Sequence, residues 1–271
     1  MSDFLSAMAE SSVARAHAAK SSAGVDGLRA RADSAPPVVP FDLGRPGFDI
    51  IAEAKLASPS AGRLAPGGAE KVVDLALTFE EHGAAAVSVL TEETRFAGAL
   101  DHLQAAARSV SVPVMRKDFL VDPIQVLEAR ASGASGVLLI ARLLPGELLA
   151  EMTDLTLDLG MFALVEVFDR SDLETAVVVF DRSVLVGVNC RDLASLEVDR
   201  SRLGSMAPHL PDHLPAIAES GIDTPDDAVE AARLGYRSAL VGSSLVASAA
   251  PGENLARMIV AGRDVVAGTE Q

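Results

Sequence analysis

"PVMRKDFLVDPIQVLEARASGASGVLLI", residues 113–140, contains one complete structural repeat. An apolar run at about 112–116 stops where Arg116, Lys117 and Asp118 begin. "DPIQVLEARASGA" (122–134) then opens on Asp-Pro, spaces its apolar residues as a helix does and ends near Gly133. These are helix start and stop signals. "GVLLI" (136–140) follows, apolar apart from its leading glycine. Strands apolar on both faces, joined through a helix, belong to a parallel sheet covered on both sides.

The same rhythm runs outward in both directions. Further short apolar runs lie at about 49–54, 85–90, 162–167, 184–188, 215–219 and 238–242. Stretches with helical spacing separate them, such as "AEKVVDLALTFEEHG" (69–83) and "TPDDAVEAARLG" (224–235). Eight strand–helix units predict a (β/α)8 TIM barrel over residues 48–271. An open doubly wound sheet is the alternative, but neither G-x-G-x-x-G nor G-x-x-x-x-G-K-[ST] occurs. Residues 1–47 read as an N-terminal helical extension and connector. A helix is expected over 3–20, with Phe4, Leu5, Met8 and Val13 on one side, and "SAPPVVP" (34–40) prevents its continuation.

Composition limits the partners. Of 271 residues, 49% are hydrophobic, enough for a large core, and the formal charge is −15. That field disfavours a nucleic-acid backbone or an anionic membrane, and it means an anionic ligand must be drawn in by a local group of cations. Cys190 is the single cysteine, so no intrachain disulfide forms. The N-terminus lacks a secretory pattern, and no apolar run approaches the ~20 residues a membrane span needs. The expectation is a soluble cytoplasmic protein, a monomer or weak homodimer.

Barrel active sites lie at the C-terminal ends of the strands. Strand 1 closes with Glu53 and Lys55, two apart and therefore on one face. Strand 3 closes with Lys117, strand 5 carries Glu166 inside "ALVEVF", and strand 6 leads to Asn189 and Arg191. Strand 7 ends at Glu219, Ser220 and Gly221, and strand 8 at Gly242 and Ser243. Taken singly, each charge reads as a solvated loop start or a structural ion pair. Together they place three carboxylates and three cations at matching strand ends. Lys117 stays charged at the rim of the core because Glu53, Glu166 and Glu219 surround it. The small residues after strands 7 and 8 suit a phosphate group.

The blocks "IIAEAKLASPSAG", "SVLTEETRFAGAL", "PVMRKDFLVDPIQVLEARASGASGVLLI", "ALVEVFD", "GVNCRDLASLEVD", "IAESGI" and "LVGSSL" together resemble the indole-3-glycerol phosphate synthase family. The likeness covers about residues 48–245, and the helical prefix matches that family's N-terminal segment. It implies cofactor-independent and metal-free ring closure, decarboxylation and dehydration of 1-(2-carboxyphenylamino)-1-deoxyribulose 5-phosphate. By that resemblance Lys117 is the acid at the ketone oxygen and Glu166 assists proton transfer during dehydration. Glu53, Lys55, Asn189 and Glu219 complete the network. The same resemblance assigns Ser58, Ser60, Phe96, Arg191, Ser220, Gly221, Gly242 and Ser243 to substrate binding, with Arg191 and Asn189 on the carboxylate, the small residues around the phosphate, and Lys55 reaching either the phosphate or the reacting centre.

Leu56, Ala61, Ala97 and Cys190 depart from the family's usual residues. Leu56 and Ala61 stand where positive charge is common, with Arg63 as a substitute. Ala97 replaces a glycine, and Cys190 reads as a small packing residue. His17, His82, His102, His209 and His213 show no ligand-like grouping. His82, His102, Glu80, Glu81, Asp226 and Asp227 read as solvated positions. Two rivals remain. One is a phosphoribosylanthranilate isomerase-like barrel, which needs a cysteine where Glu53 stands. The other is a phosphate-ligand-binding barrel without catalysis.

Overall fold

In the computed structural model, which describes residues 3–42, 47–60 and 62–269, the 113–140 stretch forms a strand, a helix and a second strand. The chain opens with two helices, α1 (Asp3–Ser22) and α2 (Gly24–Asp33). Eight strands follow: β1 (Asp49–Ala54), β2 (Ala86–Leu90), β3 (Val114–Lys117), β4 (Gly136–Ile140), β5 (Phe162–Val167), β6 (Leu185–Asn189), β7 (Ala216–Glu219) and β8 (Ser238–Val241). All pair in parallel with their neighbours, and β8 closes on β1 through Asp49↔Ser238 to Ala52↔Val241. The fold is a closed (β/α)8 barrel.

Helices cover the outside: α3 (Ala69–Glu81), α4 (Leu100–Ser109), α5 (Pro123–Ala131), α6 (Gly146–Asp158), α7 (Arg170–Ala176), α8 (Ser201–Met206), α9 (Pro225–Arg233) and α10 (Pro251–Thr269). The Asp-Pro and Thr-Pro starts of α5 and α9 are capping boxes, in which Asp122 and Thr224 satisfy otherwise orphaned helix N–H groups. Proline at the first helical position costs nothing, because its missing N–H has no partner there.

Strand ends differ from the sequence expectation in an informative way. Pro113 has no N–H to give the ladder, so β3 starts at Val114 and runs through Lys117. Lys117 and Asn189 are thus the last residues of strands, held by ladder bonds, and not loop residues.

The strand period of two divides the sheet into two faces. Ile51, Ala86, Met115, Leu138, Leu164, Leu185, Ile217 and Leu240 pack together inside the barrel. Their neighbours Ile50, Val87, Val114, Val137, Val165, Val186, Ala218 and Ala239 pack against the helices. Glu53, Lys117, Glu166, Asn189, Glu219 and Gly242 share the parity of the interior set. Each therefore stands at the mouth above an apolar or glycine residue of its own strand.

The extension is more than a single helix. On α1 the buried side is Leu5, Met8, Ser12, Ala16 and Ala19, spaced three or four apart, whereas Val13 is 45% exposed and lies off that side. Leu5 and Met8 join the interior cluster near the barrel mouth. Ala16 and Ala19, with Leu28 and Ala32 of α2, pack on Ile124 and Leu127 of α5. Gln125 of α5 donates to Ser12 Oγ at 2.8 Å, and Arg130 to the Pro36 carbonyl at 2.6 Å. The extension thus braces the helix that follows the Lys117 strand.

Several residues read as solvated have structural work. His82 is half-buried at the C-cap of α3, with Nδ1 2.8 Å from the Thr78 carbonyl. His102 is also half-buried. Glu80 accepts from the Ser111 N–H at 2.6 Å, tying α3 to the loop before β3. Asp227 completes the α9 capping box and pairs with Arg200 at 2.5 Å. No helix among the described residues is long and apolar enough to cross a membrane.

Candidate active site

At the C-terminal ends of the strands lies a cavity of about 810 Å³, counting its mouth open to solvent. Its polar wall contains Glu53, Lys55, Lys117, Glu166, Asn189, Arg191 and Glu219, brought together from five strands and the loops after them. Lys117 Nζ lies 3.2 Å from Glu166 Oε2 and 3.8 Å from Glu219 Oε2. Lys55 Nζ lies 2.5 Å from Glu53 Oε1. The Asn189 Oδ1 accepts from the Arg191 N–H at 2.9 Å, leaving the Asn189 amide to face the cavity. The Arg191 guanidinium donates to the Leu196 carbonyl at 2.9 Å and to Ser60 Oγ at 3.2 Å.

The electrostatics answer the problem that a lysine at the core rim poses. Burial favours the neutral amine, but Glu166, Glu219 and Glu53 outweigh it, so the Lys117 pKa is raised and the side chain is an ammonium. For Glu53, burial pushes the carboxyl up, while Lys55, Lys117 and Arg191 override it and hold the pKa below the usual value. Glu219 goes the other way. Burial and the neighbouring Glu166 raise its pKa well above the ordinary carboxylate range, against the opposing pull of Lys117.

Glycines make room for these carboxyls. A Cβ at Gly242 would stand 2.4 Å from Glu53 Oε1, and one at Gly187 would stand 2.0 Å from Glu219 Oε1. Gly187 had no signal in the sequence as a site residue. Only the register, which sets β6 beside β7, shows what it accommodates.

The residues expected around a phosphate divide into two groups. Ser220, Gly221, Gly242 and Ser243 line the cavity, and Ser220 and Gly221 both have left-handed backbone, at φ 64° and 78°. Ser58 and Ser60 do not line it. They belong to the short hairpin after β1, in which Ala57–Ser58 pairs with Gly62–Arg63, and Ser60 Oγ accepts from Arg191, which lines the cavity. Ala61 lies outside the described residues. Arg63 is exposed in the same hairpin and does not line the cavity, whereas Leu56 is buried in the core.

An apolar wall completes the cavity. Phe96 lines it, held by a short helix (Glu93–Phe96) whose N-cap, Glu92, accepts from the Thr94, Arg95 and Phe96 N–H groups. Phe119, Leu138, Ile140 and Leu193 line it as well, and the sequence reading had assigned none of them. Phe119 and Leu193 sit two residues beyond Lys117 and Arg191, so the strand period was the available signal. Phe119 touches Phe96 and, at 6.0 Å between ring centroids, Phe4 of α1. Ala97 adopts φ 52°, a conformation that glycine takes without strain. Cys190 faces the helices and is buried, its thiol pKa pushed up to about 11 by burial, as suits a packing residue. Among the described residues no three His, Cys, Asp or Glu side chains are grouped to hold a metal ion.

Comparison with known proteins adds identity to this geometry. The family model described as indole-3-glycerol phosphate synthase matches residues 10–258. The indole-3-glycerol phosphate synthase of Mycobacterium avium (strain 104) is 45% identical over 239 residues, covering 87% of this chain and 86% of the relative. That of Mycobacterium tuberculosis (strain CDC 1551 / Oshkosh) is 43% identical over 249 residues, covering 90% and 89%. A solved 3-hexulose-6-phosphate synthase superposes with a TM-score of 0.63 over 79% of this chain and 99% of that one. At 13% identity, it shows the barrel alone. The strand ends, the cavity they enclose and the extent of the family match agree: this chain belongs to the indole-3-glycerol phosphate synthase family.

Proposed function

We propose that this chain is a carboxy-lyase that converts 1-(2-carboxyphenylamino)-1-deoxyribulose 5-phosphate to indole-3-glycerol phosphate, CO₂ and water, in tryptophan biosynthesis. The observation that carries this reading is the Lys117 ammonium, held 3.2 Å from Glu166 inside a cavity with an apolar wall and a small-residue wall.

The substrate carries a carboxylate and a phosphate, about three negative charges at neutral pH. Lys55, Lys117 and Arg191 are the local cations that the −15 chain requires. β3 and β7 lie on opposite sides of an eight-stranded barrel. Phe96, Phe119 and Ile140 on the β2–β4 side then take the aromatic ring. Ser220, Gly221, Gly242 and Ser243 after β7 and β8 take the phosphate. Arg191 meets the ring carboxylate through its planar fork.

With the ring so placed, Lys117 protonates the ketone oxygen as the ring carbon adds to that carbonyl. Loss of CO₂ then restores electrons to the ring, and no cofactor has to store them. Elimination of water needs a proton delivered to the leaving hydroxyl and another removed, and Glu166 is the group placed to move one of them. Lys55 and Glu53, paired at 2.5 Å, stand beside this site as a second acid–base couple.

Turnover of the purified protein, followed by the fluorescence of the indole product, tests the reading. Restoration of growth in a tryptophan auxotroph checks the pathway. Absence of both would overturn it in favour of a barrel that binds phosphate ligands without catalysis.

A further inference from the structure

Glu219 is the exception in the mouth cluster. Its side chain is 1% exposed, and among the described residues no N–H or hydroxyl donor reaches either of its oxygens. Lys117 Nζ stands 3.8 Å away, beyond hydrogen-bond distance, having turned toward Glu166 at 3.2 Å. The slot it occupies exists because β6 carries Gly187, whose absent Cβ would fall 2.0 Å from Glu219 Oε1 and 3.2 Å from Leu164 Cδ1. Backbone and aliphatic carbon bound that slot. An ionised carboxylate there has lost its water and gained no donors in exchange, which is costly. Glu166 Oε2 and Glu219 Oε2 face the same ammonium, at 3.2 and 3.8 Å, which sets the two carboxyls side by side. Two carboxyls hydrogen-bond to each other only when one of them holds a proton.

We propose that the Glu166–Glu219 pair carries a single proton in the resting enzyme, held on Glu219 and donated in a hydrogen bond to an ionised Glu166. The choice of member follows from Lys117, which is hydrogen-bonded to Glu166 and so stabilises that anion. Among the described residues, the charged groups acting most strongly on Glu219 are Lys117 from β3, Glu166 from β5 and Glu53 from β1; Asn189 lies beside it on β6, and the Cys190 thiol that follows, its pKa pushed up to about 11, is neutral at neutral pH. Two of these charges are negative, and the single positive one already has a nearer partner.

The proton has a consequence for ligand capture. With all groups ionised, Glu53, Glu166 and Glu219 cancel Lys55, Lys117 and Arg191. With Glu219 neutral, the cluster keeps one net positive charge inside a chain of formal charge −15. Anion binding is then linked to this proton and weakens as pH rises through the Glu219 ionisation. The ligand named below rests on the proposed function, whereas the proton does not.

Infrared spectra of the ligand-free protein at neutral pH test the proton directly. The expected result is a neutral carboxylic-acid C=O band in the wild type that disappears on alkalinisation and is absent in Glu219→Gln. Titration with indole-3-glycerol phosphate, above the second ionisation of its phosphate, tests the linkage. Wild-type affinity is expected to fall about fivefold or more with rising pH, the effect of one charge a few ångströms away. The fall should be absent in Glu219→Gln. No such band in the wild type, a band that survives Glu219→Gln, or the same alkaline loss in both proteins would each overturn the proposal. If Glu219→Gln does not fold, the wild-type band and its loss with pH decide alone. A neutral-acid band without any turnover would instead leave the proton in place and overturn the catalytic reading.

Discussion

Arg15, on the first helix, grips both oxygens of Asp118, at 2.6 and 2.8 Å across 103 residues of sequence. Asp118 is the residue after Lys117, and the strand period sends the two side chains to opposite faces. The interior one enters the cavity, while Arg116 and Asp118 turn to the helix side. There Asp118 also accepts from Thr91 Oγ1 at 2.6 Å and from Arg116 at 3.2 Å. Arg116, 1% exposed, donates further to the Gln125 carbonyl at 2.8 Å. The N-terminal extension is thus bolted to the strand end that aims the ammonium.

Loss of this grip should cost both stability and aim. Arg15→Ala is expected to destabilise the fold by about 2 kcal/mol, since it leaves a buried carboxylate short of a charged donor. Denaturant unfolding measures this, and kcat should fall with little change in KM. An unchanged unfolding midpoint would show that α1 docks without the pair. The same carboxylate gives an acid limb. Burial pushes the Asp118 pKa up, but the Arg15 and Arg116 guanidiniums and the Thr91 hydroxyl override it and hold it at about 2. A depressed folded pKa contributes stability above the unfolded value of about 4, lost as pH falls toward about 2. Asp118→Asn should flatten stability across that window.

Lys117→Ala should lower kcat by ~10²–10⁴, the usual worth of a positioned acid. Stability should fall as well, because Glu166 is left buried without its cation, so kcat is compared on protein shown to be folded. Normal turnover by the purified variant would take the acid role away from Lys117.

Glu166→Gln keeps the shape of the side chain and removes its proton exchange. Single-turnover kinetics should show near-normal binding and slowed dehydration, with an intermediate accumulating before indole-3-glycerol phosphate appears. Product formation at the wild-type rate would refute the assignment.

Gly187→Ala tests the slot behind Glu219. A methyl 2.0 Å from Oε1 forces the carboxyl out, and overpacking of this kind costs about 1–3 kcal/mol. Activity should fall more than thermal stability alone explains, because the displaced carboxyl crowds Lys117. Wild-type kinetics in Gly187→Ala would mean that the strand shifts freely to make space.

Much of the barrel was legible along the chain because its signals are local. Asp-Pro and Thr-Pro mark helix starts, and apolar runs of strand length between helices admit few other folds. The mouth residues were legible too, because a charged residue ending an apolar strand is costly unless neighbours compensate it. Other features were not. α2 carries a weak apolar pattern, and its buried side is only Leu28 and Ala32. The hairpin that carries Ser58 and Ser60 beside the cavity, outside its lining, gave no signal in the sequence. Asp227 looked solvated until Arg200 met it.

By itself the sequence determined the order of elements, the parity of each strand and therefore which side chains face the barrel axis, since these follow from backbone periods. The tertiary structure alone decided what those side chains meet. Closure of β8 on β1 sets the Gly242 gap against the Glu53 carboxyl, and the β6–β7 register sets the Gly187 gap against that of Glu219. Docking of α1 brings Arg15 to Asp118. Contacts between residues distant along the chain depend on register and packing, and the protonation of Glu219 depends on those contacts in turn.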